Sequence, residues 1–316
     1  MPTAVSSTDL DTAPRARHDR HPVRDGVRAV VDVGHLLRFR AGTLRHGWLA
    51  ALGTTLLLAA TAAVAVGPAY LSEAGGSGRA FDVQLVLPTA LVGFVVLTIV
   101  SSAASGGGRE LIAREPAAMH PISPTTDHLG ALLLAPLNIA WLLQAWALMG
   151  AVAFAVGPDR LLEAQVVLVL WLAVGTALAQ VLAWILEGVR RVPHGIVGIR
   201  LLNVVVLGVA LGLQLTDQIL RVFDNVPTIR LVIAMVDPSP HVWWATVAVL
   251  AVAFALLVVL GAVPAHIAAH RTPRDEVRAE SGRYAARSVP GSDLAALVRT
   301  DRASVWRAVP MRRGVV

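Results

Sequence analysis

The sequence predicts an all-α, polytopic membrane protein with six transmembrane helices and both termini in the cytoplasm. Three observations predict this fold. Hydrophobic residues make up 55% of the 316-residue chain and charged residues only 15%, whereas ordinary soluble domains carry about 25% charged residues. Six apolar stretches are each long enough to cross a hydrocarbon core of about 30 Å. The 27 basic residues, all of them arginine, lie mostly on one side of these stretches.

The first part of the chain is polar. Residues 1–26 have few apolar side chains and predict a disordered cytoplasmic tail. Residues 27–47 then place apolar side chains at helical spacing, which predicts an amphipathic helix lying in the membrane interface. An ordinary soluble helix is the alternative. The predicted apolar stripe consists of Val27, Val30, Val31, Leu37, Ala41 and Leu44.

A six-span domain is predicted over residues 48–270. No charge lies in the span cores, where a central Arg or Asp costs about 2.5–3.5 kcal/mol on insertion scales. The fifth span is the weakest prediction, because its uninterrupted apolar core is short and needs the flank from Ile196 to cross fully. The predicted spans are residues 48–70, 83–104, 131–156, 165–186, 196–216 and 242–266.

The arginines predict the orientation. An even number of spans places both termini on the same side of the membrane. If that side is the cytoplasm, only Arg79, Arg160, Arg221 and Arg230 lie outside, as the positive-inside rule requires. The isoelectric point near 11.1 then reflects membrane topology, and we assign no nucleic-acid partner because no binding motif accompanies the arginines.

The third outer loop, residues 217–241, differs from the two short loops before it. It contains two short apolar pieces, residues 219–223 and 229–236. Neither piece can span a bilayer, since about 20 residues are needed. We therefore expect two short helices that lie in the outer interface or dip back into the membrane against protein.

After the last span, residues 271–316 form an Arg-rich cytoplasmic tail. Arg302, Ala303 and Arg307 repeat the spacing of Arg40, Ala41 and Arg45. Such an echo arises easily by chance in a chain rich in Arg and Ala. The alternative hypothesis is that a second repeat starts here. The 316 residues of the chain would then be the first half of a duplicated protein or a truncation of one.

A polar loop between spans 2 and 3 has an ordered pattern. After a glycine triplet, one or two helical turns end at Glu115, which precedes Pro116. A new helix then starts, with Ser123 as its cap, Pro124 at the first position and Asp127 in the first turn. This order predicts a docking partner, although a short cytoplasmic loop also needs turn residues for its own sake.

The loop resembles the coupling loop of membrane subunits of type 2 ATP-binding-cassette exporters. In that family a Glu, a few apolar residues, a Pro, a β-branched residue and a Ser precede the next span. Glu115, Met119, Pro121, Ile122 and Ser123 stand in those places. The amphipathic helix, the six spans and the short helices before the last span are also similar, so the resemblance covers about residues 27–270. The long Arg-rich tail departs from it, and the overall style resembles high-GC actinobacterial proteins.

This resemblance implies the permease component of an ATP-driven exporter in a bacterial plasma membrane. ATP and Mg²⁺ would be bound by a separate ATPase subunit, and a second permease half or a homodimer would complete the transporter. A non-transporting scaffold that docks a soluble partner through the same loop is the alternative. The loop residues that would contact the ATPase are Arg109, Glu110, Arg114, Glu115, Met119, Pro121 and Ser123.

No enzymatic activity is expected of the chain itself. A phosphate-binding GxxxxGK[ST] loop needs a lysine, and the chain has none. His266 and His270 share a helix face, but we interpret them as an interfacial pair and assign no metal or cofactor.

The polar groups of the spans are mainly amides, which cannot act as acid or base at neutral pH. They either line a translocation path or hydrogen-bond between helices, and the lack of buried charge pairs favours an amphiphilic substrate over small ions. The amides are Asn138, Gln144, Gln180, Asn203 and Gln214.

Overall fold

The computed structural model describes residues 22–42, 47–74, 77–105, 123–192, 194–218, 227–237 and 239–270, with a few positions between 292 and 298. Within these ranges the chain forms nine α-helices, one 3₁₀ turn and no strand. The helices are α1 (Pro22–Gly42), α2 (Gly47–Ala74), α3 (Ser77–Ser105), α4 (Pro124–Leu134), α5 (Ile139–Val156), α6 (Leu161–Arg190), α7 (Gly195–Leu215), α8 (Thr228–Val236) and α9 (Pro240–Ala269).

Six of these helices, α2, α3, α5, α6, α7 and α9, are long and apolar enough to cross a membrane. This confirms the predicted number of spans. The cytoplasmic location of the termini stays a prediction. The proposed coupling loop, apart from Ser123, lies outside the described residues, and so does nearly all of both predicted tails.

Helix α6 is the centre of the bundle and packs against α3, α5 and, most extensively, α9. Fully buried aliphatic side chains form the contact, among them Leu91 on α3, Val152 on α5 and Leu168 and Leu172 on α6. Half of the residues in the most apolar 18-residue segment of α6 are buried within the protein, whereas no residue in the corresponding segment of α2 is buried. Helix α6 is thus enclosed by protein, and the outer helices face the surroundings.

Tryptophan side chains join the spans. The indole Nε1 of Trp171 on α6 donates to the carbonyl of Leu91 on α3 at 3.1 Å. Trp146 on α5 donates to the Thr61 hydroxyl on α2 at 2.9 Å, and Trp243 on α9 donates to the carbonyl of Glu163 on α6 at 2.9 Å. Each bond satisfies a polar group that lipid could not satisfy.

The bundle has two ends, which we name by their loops. At the 157–160 end α5 stops and α6 and α9 begin. At the 106–122 end α3, α6 and α9 stop and α5 begins. The sequence predicts that the 106–122 end faces the cytoplasm.

The third predicted span, residues 131–156, is not one continuous helix. Helix α4 stops at Leu134, a 3₁₀ turn covers Ala135–Leu137, and α5 starts at Ile139. Pro136 lacks an N–H group and disfavours a continuous α-helix. Asn138 then caps α5, since its Oδ1 accepts a hydrogen bond from the Ala140 N–H at 2.9 Å. This corrects the predicted span, and it brings Asn138 to a helix start at the 106–122 end.

Helix α1 begins at Pro22 and stops at Gly42, so its bounds differ from the predicted 27–47. Proline suits a first helical turn, which explains the earlier start. Ala29 and Val33 are buried, and α1 packs against α4. Val27 and Val30 of the predicted stripe are each 62% exposed, so this part of the stripe faces away from the bundle.

Helices α7 and α8 differ in burial. Helix α7 has the length that the fifth span needed, yet most of its described apolar side chains are exposed and its main contact is with α6. Helix α8 confirms the second apolar piece of the third outer loop as a short helix. It packs against α3 and α6 and buries Thr228, Leu231, Ala234 and Met235. The first piece lies outside the described residues.

Candidate functional site

A cavity of about 80 Å³ lies between α3, α5 and α6 toward the 106–122 end. About half of its wall is polar, although the helices that form it are apolar. Hydroxyl, amide and indole groups line it, and no acidic or basic side chain is among them. The lining residues are Thr98, Ser101, Ser102, Ala135, Asn138, Trp141, Gln144, Thr176 and Gln180.

Helical spacing explains how these side chains meet. Asn138, Trp141 and Gln144 follow each other at intervals of three residues, so they lie along one side of the start of α5. Thr176 and Gln180 are four residues apart on α6 and share a face in the same way. Each helix therefore contributes a short polar strip, and the cavity forms where the strips face one another.

Each threonine hydroxyl of the cavity donates its proton to a carbonyl of its own helix. Thr98 Oγ1 donates to the carbonyl of Phe94 at 2.7 Å, and Thr176 Oγ1 donates to the carbonyl of Leu172 at 2.7 Å. Trp141 Nε1 donates to Thr176 Oγ1 at 2.9 Å. Since each hydroxyl has used its proton, only its lone pairs are left for another molecule.

Two amide oxygens at the cavity lack partners. Gln144 Oε1 and Gln180 Oε1 are buried and accept no hydrogen bond within the part of the chain that the structure describes. The Gln180 residue as a whole is only 7% exposed. An unsatisfied buried acceptor costs about 1–3 kcal/mol, so this site is stabilised by any molecule that brings a donor to it.

The structure brings together three of the five amides proposed from the sequence. Asn138, Gln144 and Gln180 line the cavity, whereas Asn203 and Gln214 lie on exposed positions of α7 and take no part in it. The Oε1 atoms of Gln144 and Gln180 have no partner within the described residues, and the role of these amides, in a translocation path or between helices, stays a prediction.

Of the proposed coupling-loop residues, Ser123 alone is described. Its Oγ accepts a hydrogen bond from the Thr126 N–H at 3.0 Å and caps α4. Pro124 stands in the first turn, and so does Asp127, so the predicted helix start is confirmed. The docking role of Ser123 and of its neighbours in residues 109–121 stays a prediction.

Sequence reasoning did not single out Thr98, Trp141 or Thr176. A signal was present, because Trp141 lies midway between Asn138 and Gln144, and Thr176 precedes Gln180 by one helical turn. Polar residues at spacing i, i+3 and i+4 within an apolar span mark one face of the helix. This spacing predicts that Trp141 and Thr176 lie on the same helix faces as the amides that line the cavity.

An ion cluster closes the bundle at the 106–122 end. The Glu187 carboxylate on α6 is buried, and Arg191 Nε and Nη2 each donate to its Oε1 at 3.1 Å. Arg191 Nη1 donates in addition to the carbonyl of Ala268 on α9. These bonds hold the last turns of α6 and α9 together.

A close contact between α4 and α9 lies at the same end. His128 on α4 is fully buried. A Cβ atom added to Gly261 on α9 would lie 2.5 Å from both Cε1 and Nε2 of the His128 ring. Only glycine at this position lets the imidazole pack directly against the α9 backbone.

The chain matches no protein-family model, and it shows no significant similarity to curated proteins or to solved structures.

Proposed function

We propose that this chain is the permease component of an ATP-driven exporter that moves an amphiphilic substrate out of a bacterial cell. ATP would be hydrolysed by a separate ATPase subunit that docks on the loop of residues 106–122. The chain contributes the transmembrane path, and its motion would follow from the ATPase binding the loop differently in its two states.

The observation that carries this proposal is the polar cavity inside a bundle of apolar helices. Polar groups within membrane spans are costly, and where they face an internal cavity they commonly mark a substrate pathway. A scaffold that only docks a partner through its loop has no use for the unbonded amides of Gln144 and Gln180. The cavity also lies toward the end of the bundle where α3 stops and α4 begins, on either side of the loop that resembles a coupling loop, and this position supports transport coupled to that loop.

A second permease half, either another copy or a second half-chain, is part of the proposal. Helix α7 supports it, because nearly all of its described side chains are exposed. Asn203 stands near the middle of this helix, and a polar group facing lipid there is unfavourable. Packing of α7 against a second half would remove Asn203 from lipid.

The proposal is tested by purifying the full-length protein from its own host in a mild detergent after crosslinking. Mass spectrometry then identifies the bound proteins, and ATP hydrolysis is measured in the same preparation. We expect a stoichiometric ATPase with a Walker motif. Glu115→Arg should abolish its association while the permease still reaches the membrane, and Glu73→Arg, a matched charge reversal away from the loop, should not.

A crosslinked preparation without any such ATPase would overturn the exporter proposal. If a soluble partner without ATPase activity is captured instead, and Glu115→Arg releases it, the chain is a membrane scaffold. Unchanged ATPase association in Glu115→Arg would show that the loop has no coupling role.

A further inference from the structure

A second cavity adjoins the polar one. It has a volume of about 210 Å³ and lies between α4, α5, α6 and α9. Its lining is almost wholly aliphatic and aromatic and includes Leu132, Met149, Val169 and Phe254. The side chains of Trp141 and Thr176 line both cavities, so a polar compartment and an apolar compartment share one wall.

We propose that the two cavities form a single binding site for an amphiphile with an uncharged polar end that carries hydroxyl or amide groups. The polar end would occupy the cavity at Gln144 and Gln180, and the hydrocarbon end would occupy the cavity at Phe254. This inference rests on the proposed transport function, which would explain why the chain has such a site. The site itself can be tested by binding alone.

The polar compartment favours a ligand that brings hydrogen-bond donors. Gln144 Oε1 and Gln180 Oε1 accept no bond within the described part of the chain. The hydroxyls of Thr98 and Thr176 donate to carbonyls of their own helices and present lone pairs. The Trp141 N–H is already used by Thr176. The wall also carries the amide N–H groups of Asn138, Gln144 and Gln180, so a ligand hydroxyl or amide, which both donates and accepts, matches it.

A charged polar end is disfavoured by the same wall. The residues that line the polar cavity include no Asp, Glu, Arg or His. A phosphate or an ammonium group placed there would lose its hydration without gaining a counter-charge, which is strongly unfavourable in an interior of low dielectric constant. The site therefore discriminates by charge against phosphate esters and quaternary ammonium compounds.

The apolar compartment suits a hydrocarbon. An apolar cavity of about 150 Å³ already accommodates a molecule the size of benzene, and this one is larger. The Trp141 indole is amphipathic, and such rings are favoured where one side is apolar and the other polar. The two compartments therefore meet at this indole, which is the arrangement that a molecule with one polar and one hydrocarbon end needs.

Photolabelling of the purified full-length chain in nanodiscs tests the site. Three probes carry the same chain with a diazirine and differ only in the polar end: a monoacylglycerol, its phosphate monoester and an alkyltrimethylammonium. We expect the monoacylglycerol to label residues 139–190 about tenfold more than either charged probe, and unlabelled monoacylglycerol to compete.

Gln180→Leu removes an acceptor from the polar compartment and should reduce monoacylglycerol labelling about fivefold to tenfold. Gln214→Leu makes the same chemical change on exposed α7 and should leave labelling unchanged. Thr98→Val removes an acceptor from a different helix, so the test does not depend on the folding of one variant.

Equal labelling by the three probes, or full labelling of both Gln180→Leu and Thr98→Val, would overturn the preference for an uncharged polar end. Labelling of residues 139–190 no stronger than that of α7 would overturn the site itself, and would mean that the polar cavity holds water only. None of these results needs an ATPase, so a failure of the exporter proposal and a failure of this site are distinguishable.

Discussion

Glutamine side chains at the two ends of the bundle differ in the hydrogen bonds that they make to other helices. At the 157–160 end, Gln84 Nε2 donates to the carbonyl of Ala155 at 2.7 Å. Gln165 Nε2 donates to the carbonyls of Ala65 and Met149 at 3.0 Å each, although Gln165 Oε1 is itself buried without a partner among the described residues. Toward the 106–122 end, Gln144 and Gln180 make no such bonds, and their oxygens are buried beside a cavity.

The difference shows that an amide within a span has no fixed role. Gln84 and Gln165 join helices, and their removal should loosen the fold. Gln144 and Gln180 line a cavity, and we expect their removal to cost the fold little. Other contacts join the helices at the 106–122 end, namely the ion pair of Glu187 with Arg191 and the close approach of His128 to Gly261.

The largest expected effect comes from the ion cluster at the 106–122 end. Arg191→Met leaves the buried Glu187 carboxylate without its closest partner and should reduce the free energy of unfolding by about 3 kcal/mol. Thermal unfolding in detergent, followed by tryptophan fluorescence, measures the change. Arg200→Met on exposed α7 is the matched control and should be nearly neutral. Equal melting temperatures for the two variants would contradict a structural role for the cluster.

Next in size is the contact between α4 and α9. In Gly261→Ala the new Cβ atom would overlap the His128 ring, 2.5 Å away, so we expect a loss of about 1–3 kcal/mol. Gly208→Ala on α7 meets nothing within 4 Å and should be neutral or stabilising, since alanine is the better helix former. The double variant with His128→Ala should recover part of the loss if the clash is the cause. No recovery would place the effect elsewhere.

The glutamine comparison itself predicts a smaller effect. Gln165→Leu removes two bonds between helices and should reduce the free energy of unfolding by about 1 kcal/mol, as for other hydrogen bonds between membrane helices. Gln180→Leu removes none and should leave the free energy of unfolding unchanged or raise it. Both are measured by unfolding in mixed micelles. An equal loss in both variants would abolish the distinction between the two ends.

The smallest effect is expected outside the spans, where Asp237 turns the chain from α8 toward α9. The Ser239 side chain and its N–H, at 2.8 Å, lower the pKa of the Asp237 carboxyl below its ordinary value. A lowered pKa means that this stabilisation is present above the unfolded pKa of about 3.9 and is lost as the pH falls through the folded pKa.

Asp237→Ala should therefore lower the melting temperature slightly at pH 7, and the difference from wild type should shrink below pH 4. Asp159→Ala, an exposed carboxylate at the same end, should show neither effect. A difference that stayed constant down to pH 3 would argue against the hydrogen-bonded carboxylate as its source.

Much of the fold could be predicted from the sequence. The number of spans follows from apolar length, and the start of α4 follows from Ser123, Pro124 and Asp127, each of which acts locally. The break at Asn138 could not be predicted with the same rules. A proline within an apolar run is compatible with a continuous helix, as at Pro68, Pro88 and Pro264, which lie inside α2, α3 and α9.

The candidate site was predicted in part. Amides in apolar spans were recognised as unusual, but Asn203 and Gln214 have the same local character as Gln144 and Gln180. What separates them is the rotation of each helix about its axis, which depends on its neighbours. Helix α7 makes its main contact with α6, so its amides stay exposed, whereas α5 and α6 turn theirs toward α3.

The sequence by itself determined that six helices are long and apolar enough to cross a membrane, because hydropathy sums along the chain and needs only the thickness of a bilayer for comparison. The tertiary structure alone decided which polar side chains bond to other helices and which surround a cavity. In a membrane, lipid is as apolar as leucine, so hydrophobicity does not fix which face of a helix meets its neighbour. Side-chain packing and a few hydrogen bonds fix it, and those partners are distant in the sequence.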